Sequence, residues 1–410
     1  MKLTKLEKSW ILYDVGNSAF TLLVTTIMPI YFNYLAESAG LTDVQYLAYW
    51  GYAASIATLV VALSGPILGT MADYKGFKKP IFIGSLVLGV VGCLCLGLAR
   101  TWLVFLVIYI IAKIGYAASL VFYDAMLPDV AAPDRVDTVS SQGYAWGYIG
   151  SCIPFALSLV LVLGNEAIGI SMEFAMAMSF ALVALWWVGC SLPLLKGYHQ
   201  THFVERQPRP VAASFSRLWQ TLKNARKKPG IFLFLLAFFC YIDGVYTIID
   251  MATAYGSALG LDSTGLLLAL LVTQIVAFPF AILFGRLSQK MKNARLITIC
   301  IIAYLGIAIF AMFLQYQWQF WTLAVLVGMF QGGIQALSRS YFAKIVPPEQ
   351  AGEYFGLMDI CGKGAAFVGT TLVSAVTQAT GSMNLGVGAI AILFVLGLFL
   401  FRKAARANRE

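Results

Sequence analysis

Apolar residues gather along this chain into about twelve runs of roughly 20 residues, the length at which an α-helix crosses the hydrocarbon core of a bilayer. They lie near residues 9–35, 46–72, 80–98, 101–126, 138–163, 168–194, 230–258, 264–285, 295–315, 319–342, 352–378 and 384–402. None has the short alternating segments of an outer-membrane barrel, so the pattern predicts an all-α integral membrane protein. Composition agrees: 60% of residues are hydrophobic and 11% charged, against about 25% charged in a soluble domain.

The first run follows Lys2, Lys5 and Lys8, as in a signal peptide, but it is about twice as long as the apolar part of one and carries Asp14 and Asn17. It reads as a retained helix. Lys and Arg collect in alternate connections: Lys75, Lys78 and Lys79; the segment 195–229; Arg286, Lys290, Lys292 and Arg295; and the tail from Arg402 to Arg409. The opposite connections hold only Arg100. The positive-inside rule then places both termini and the middle segment in the cytoplasm. The net charge of +9 is therefore topological and does not call for a nucleic-acid partner. All seven cysteines fall inside the apolar runs without ligand-like spacing and read as packing residues. His199 and His202 stand in a basic connection with no further ligand and do not read as a metal site.

The basic middle segment divides the chain into an N-terminal half at 1–194, a linker at 195–229 and a C-terminal half at 230–410. Within the linker, Phe215, Leu218, Trp219 and Leu222 recur at helical spacing, with Arg217, Lys223 and Arg226 off that face. That is the pattern of a short helix lying on the membrane surface.

The halves repeat at an offset of about 215 residues. "GTMADYKGFKK" (Gly69 to Lys79) matches "GRLSQKMKNAR" (Gly285 to Arg295) in position, and "PDRVDTVSSQGYAWG" (Pro133 to Gly147) matches "PEQAGEYFGLMDICG" (Pro348 to Gly362). Parallel six-helix repeats resemble the major facilitator architecture. Gly69, Asp73, Gly76, Lys78 and Lys79 resemble that superfamily's G-x-x-x-D-x-x-G-x-K-K loop, which implies a cytoplasmic latch between the halves. Physically the motif needs a glycine for close helix approach and an aspartate that accepts from a helix N-terminus or a neighbouring base. The second copy has Gln289 in the acid's place, so a latch there would be neutral.

Five further segments resemble the Atg22-like, or UMF1, branch of the superfamily: "YDVGNSAF" (Tyr13 to Phe20), "YIDGVYTII" (Tyr241 to Ile249), "TQIVAFP" (Thr273 to Pro279), "GGIQALSRS" (Gly332 to Ser340) and "EYFG" (Glu353 to Gly356). The resemblance runs nearly end to end. It implies amino-acid export from the vacuole in the eukaryotic branch, and transport of an open substrate in the bacterial type, which the short loops favour. The expected location is then the bacterial cytoplasmic (inner) membrane, with the protein a monomer.

The superfamily resemblance implies that helices 1, 4, 7 and 10 line a central cavity, and these helices carry polar stripes. Asp14, Asn17, Ser18, Thr21 and Thr25 share one side of the first run, and Lys113, Tyr116 and Asp124 share one side of the fourth. Asp243, Tyr246, Thr247 and Asp250 do so on the seventh, and Gln331, Gln335 and Ser338, with Arg339 adjacent, on the tenth. At about 1.5 Å per residue, Asp243 and Lys113 fall near the midplane, Asp14, Asp124 and Arg339 nearer the cytoplasm, and Asp250 nearer the outside.

These positions predict a substrate-binding or proton-coupling set of Asp14, Asn17, Lys113, Asp243, Tyr246, Thr247, Gln331 and Gln335. A gating set adds Asp124, Arg339 and Asp250 to the loop motif. Lys113 either pairs with Asp243 or meets a substrate carboxylate. A carboxylate such as Asp243 or Asp14, alternating between wet and occluded surroundings, can take up and release a proton. Asp359 and Lys363, four residues apart on one helix, read as a structural ion pair.

No nucleotide-binding glycine loop, metal cluster or nucleophile with its base is present in the sequence. The expectation is thus a secondary transporter rather than an enzyme or ATP-driven pump, with no cofactor and with a small molecule, protons and the lipid bilayer as partners. Proton-coupled export of amino acids or related metabolites is the first reading. Export of hydrophobic or lipid-like compounds is the alternative, allowed by Tyr109, Tyr116 and Tyr246 beside the polar stripes.

Overall fold

The computed structural model describes residues 3–205, 214, 216, 219–221, 223, 228–258, 260–261 and 263–408. Most of the predicted linker helix (Phe215, Arg217, Leu218, Leu222 and Arg226) lies outside the described residues, as do the side chains of Asp250 and Lys363.

Twelve long helices stand where the apolar runs predict them: α1 Lys5–Ser38, α2 Asp43–Ala72, α3 Lys78–Leu96, α4 Trp102–Ala125, α5 Val136–Leu163, α6 Met172–Gly197, α7 Pro229–Ala258, α8 Ser263–Leu287, α9 Asn293–Ala311, α10 Gln317–Ile345, α11 Ala351–Thr380 and α12 Met383–Ala407. Among the described residues, eleven stretches are long and apolar enough to cross a membrane. α11 packs between α2 and α7. Leu63, Leu185 and Phe399 are more than half exposed on the outside of the bundle, as residues facing hydrocarbon can be.

Local chemistry explains the element ends. Thr4 opens α1 with a capping box: its Oγ1 accepts from Glu7 N at 3.2 Å and Glu7 Oε2 accepts from Thr4 N at 2.6 Å, which satisfies two otherwise unpaired donors. Residues Leu23–Ile27 form a π turn within α1. Pro29 follows and cannot donate to the turn before it, while Thr25 and Thr26 hydroxyls bond back to carbonyls at 21 and 22. The surplus residue breaks the 3.6-residue register. The stripe predicted from Asp14 to Thr25 therefore does not continue unchanged, and both Thr25 and Thr26 reach the cavity described below.

The buried apolar residues of both sets of six helices form one continuous core. Tyr13 of α1 donates to Ser119 of α4 at 2.7 Å, and Tyr241 of α7 lies 2.7 Å from Ser338 of α10, so the repeat is visible at the level of single contacts. Between the sets, α2 packs on α11, and α5 on α8 and α10. The small-residue face of α5 fits α1: a Cβ at Gly147 would meet Ser18 and one at Gly150 would meet Val15. The connections holding Lys75 to Lys79, Pro133, Ser288 to Lys292 and Pro348 lie at one end of the bundle, together with both ends of the described chain. That end is called the basic face below.

Candidate functional site

Near the basic face, Arg339 of α10 reaches out of its own set of helices into the other. Its Nη1 donates to Asp124 Oδ1 at 3.0 Å, its Nε to Ser140 Oγ at 2.9 Å and its Nη2 to the Ser140 carbonyl at 2.9 Å. Asp14 Oδ2 lies 3.6 Å from Nη2, close enough to pair as ions but too far for a hydrogen bond. The rings of Tyr144 and Trp10 lie 4.2 and 4.6 Å from the guanidinium carbon, where a desolvated cation gains from the ring quadrupole. Gly143 makes room, because a Cβ there would press on Asp14, Trp10 and Arg339 together. The arginine is 3% exposed, so opening this end of the seam would bring a fully desolvated charge back to water.

Two further contacts close the same end of the seam. Asp73 accepts from the backbone N–H of Gly352 at 2.7 Å and of Glu353 at 3.0 Å, seating its charge at the N-terminus of α11. A Cβ at Gly69 would fall on the Gly352 carbonyl. In the repeat-related position Gln289 donates to Thr138 Oγ1 at 2.9 Å. Charge enters there through Asp137, which accepts from Asn293 Nδ2 at 2.6 Å and pairs with Lys344 Nζ at 2.5 Å. Sequence reading missed Asp137 and Lys344, although an acid in the first turn of α5 and a base in the last turn of α10 were there to be seen.

The remaining residues of the loop motif stay on their own side. Gly76 holds the tight turn at φ +79°, a region open to glycine, and its N–H is taken by Gln200. Lys79 donates to the Tyr198 carbonyl. Lys78 is wholly buried and donates to Asp129 Oδ2 at 3.2 Å and to the Ala125 carbonyl. Asp129, also missed, accepts in addition from Tyr198 OH (2.6 Å), Thr201 Oγ1 (2.8 Å) and His202 N (2.8 Å). Burial would raise its carboxyl, but Lys78 and these donors prevail and hold it below the usual carboxylate range. The start of the linker is thereby fastened beside the loop, with Val204 N–H on the Asp73 carbonyl and Lys75 N–H on that of Val204.

A cavity of about 340 Å³ lies farther from the basic face, between the two sets of helices. Thr25, Thr26, Trp50, Tyr109 and Lys113 line it on one side, and Ile249, Leu270 and Gln274 on the other. The last three also border a recess inside the second set, whose polar atoms come from Thr247, Tyr255, Thr273, Gln274 and Gln331 among otherwise apolar walls. Tyr116 OH meets Thr21 Oγ1 at 2.5 Å, and Tyr148 donates to Gln335 at 2.7 Å.

Two expectations require correction. Lys113 and Asp243 do not meet. Lys113 lies over the Tyr109 ring at the cavity wall. Asp243 is buried between α7 and α11, its Oδ1 accepting from Gly369 N (2.9 Å) and Thr247 Oγ1 (3.3 Å) and its Oδ2 having no hydrogen-bond partner among the described residues. Gly369 brings α11 close enough for this, since a Cβ there would strike both side chains. Ser338, likewise, turns to Tyr241 rather than to a cavity. Asn17 donates to Asp14 at 3.4 Å, and Asp359 faces Gly65 of α2.

Twelve spanning helices in two repeated sets, meeting around a central cavity and sealed at one end, define a major facilitator transporter. Solved structures bear out the fold: the outward conformation of the transporter FucP superposes with a TM-score of 0.75 at 13% identity, over 98% of this chain and 97% of that one. A human organic anion transporter, MFSD10, gives 0.69 at 13% identity, over 97% and 98% of the two chains.

Within that class the chain belongs to the family described as "Vacuole effluxer Atg22 like", whose profile matches residues 4–409. An uncharacterized MFS-type transporter of Bacillus subtilis (strain 168), YxiO, is 43% identical over 97% of this chain and 94% of its own length. Autophagy-related protein 22 of Coccidioides immitis (strain RS) is 21% identical over 86% and 72%. The protein is thus a multi-pass membrane transporter of a family of transporters, not of enzymes.

Proposed function

We propose that the chain exports amino acids or related metabolites by proton-coupled alternating access across a bacterial cytoplasmic membrane, with both termini and the basic face in the cytoplasm. The observation that carries the coupling is the sharing of one buried guanidinium, Arg339, by two carboxylates, Asp14 and Asp124. A proton delivered to either carboxylate removes one of the charges holding Arg339 across the seam, which weakens the closed basic face. Asp14 is the better coupling residue of the two named from the sequence, because it lies on the seam and Asp243 does not. The efflux named for the matched family supports the direction.

The substrate reading rests on the cavity and on the recess that shares its Ile249, Leu270 and Gln274 wall: Lys113 stands in the lining of the first, and the second offers apolar surface. An amphipathic carboxylate fits both. The apolar walls also favour a second reading, export of hydrophobic compounds. Uptake into proteoliposomes under an imposed pH gradient tests coupling. Asp14→Asn is expected to lose the gradient dependence while keeping substrate counterflow, and gradient-driven transport at the wild-type rate by this variant would overturn the proposal. A thermal-shift screen of amino acids against lysolipids and dyes separates the substrate readings.

A further inference from the structure

A groove of about 440 Å³ opens on the outside of the bundle beside the basic face, walled by α2, α7 and α11. Its walls are apolar, with Leu63 of α2 and Phe232 and Leu236 of α7 all more than one-third exposed. Its polarity is concentrated at one end, at Thr221 of the linker, Lys228 and Tyr354. Lys228, exposed, lies 3.4 Å from Tyr354 OH and 5.6 Å from the centre of that ring. From Lys228 to Leu236 the groove descends about 12 Å along α7, which is a depth of hydrocarbon and not of aqueous interface.

We infer that this groove is a binding site for one anionic phospholipid, with the phosphate at Lys228 and Tyr354 and an acyl chain lying along Phe232 and Leu236. A cation and a phenol at the polar end are the donors that a phosphate diester accepts from. A groove that opens sideways onto lipid, with aliphatic walls below its polar rim, fits an acyl chain and not a free phosphate. One wall belongs to the first set of helices and two to the second. The site is therefore complete only while α2 and α11 are in contact, as they are at Gly69 and Gly352. Lipid bound there favours the conformation closed on the basic face.

The test is native mass spectrometry of the purified full-length protein titrated with dioleoylphosphatidylglycerol or dioleoylphosphatidylcholine. The first bound lipid is expected to favour the anionic species by about fivefold, the scale of one lysine near a lipid phosphate. Lys228→Gln, a change at an exposed residue, is expected to bring that preference to within twofold and leave phosphatidylcholine binding unchanged. Equal retention of the two lipids by the wild type, or an undiminished preference in Lys228→Gln, overturns the assignment.

Discussion

Arg339 Nη1 lies 3.0 Å from Asp124 Oδ1, joining two helices from opposite halves of the repeat. Removing the guanidinium leaves two acidic side chains facing each other without their cation, and breaking a buried pair in this way costs about 3–5 kcal/mol. Arg339→Ala is expected to lower the melting temperature and to abolish transport. Arg339→Lys is expected to recover some stability but little transport, because a lysine cannot reproduce the fork that also holds Ser140. Thermal unfolding and proteoliposome flux, measured on both variants, check the two halves of this expectation.

Gly69 is predicted to be intolerant of even one methyl group. Gly69→Ala places a carbon on the Gly352 carbonyl and parts α2 from α11, with an overpacking cost of about 1–3 kcal/mol. Accessibility of cysteines introduced into the loop at 73–77, read by maleimide labelling, should rise. Unchanged labelling would show that the contact does not hold the face shut.

At Lys113 the expected effect is on affinity. Lys113→Ala removes a charge-assisted hydrogen bond worth about 1.5–3 kcal/mol to a carboxylated substrate, a loss of tenfold or more. Equilibrium binding to the purified protein measures it, and an unchanged dissociation constant would remove Lys113 from the substrate site.

Asp129 sets a pH dependence for the linker. Its carboxyl is held below the usual carboxylate range, so its stabilisation is fully present above the unfolded value of about 4 and is lost as pH falls through the lower, folded value. Wild-type protein is expected to expose the segment 198–205 to proteolysis only in acid below about pH 4. Asp129→Asn, which leaves Lys78 buried without its counter-charge, is expected to expose it at neutral pH as well.

The twelve spans were legible because crossing a bilayer imposes one length and one polarity on every helix. The Gly69 and Asp73 contacts were legible too, because a close approach and a helix N-terminus demand those residue types. What the sequence concealed was direction around the helix axis. Ser338 and Arg339 are neighbours, yet one turns inward to Tyr241 and the other crosses the seam. Asp243 was read as facing a cavity, but the glycine that admits it to α11 lies 126 residues away. Lys78 was read as part of the loop latch, and only the fold brings Asp129 beside it.

The π turn at Leu23–Ile27 makes α1 two helices joined by a single surplus residue. Deleting one residue there would let the segment wind as an ordinary α-helix while keeping the rotational phase on either side, because the wider turn already absorbs that residue. Tyr31, whose hydroxyl bonds the Ala99 carbonyl, and Phe32, stacked on Trp50, would then keep their neighbours, whereas a deletion in the α-helical winding before the turn would rotate both by about 100°. Single-residue deletions in α1 are thus predicted to be graded by where they fall: disruptive within the α-helical winding, and tolerated within the turn itself.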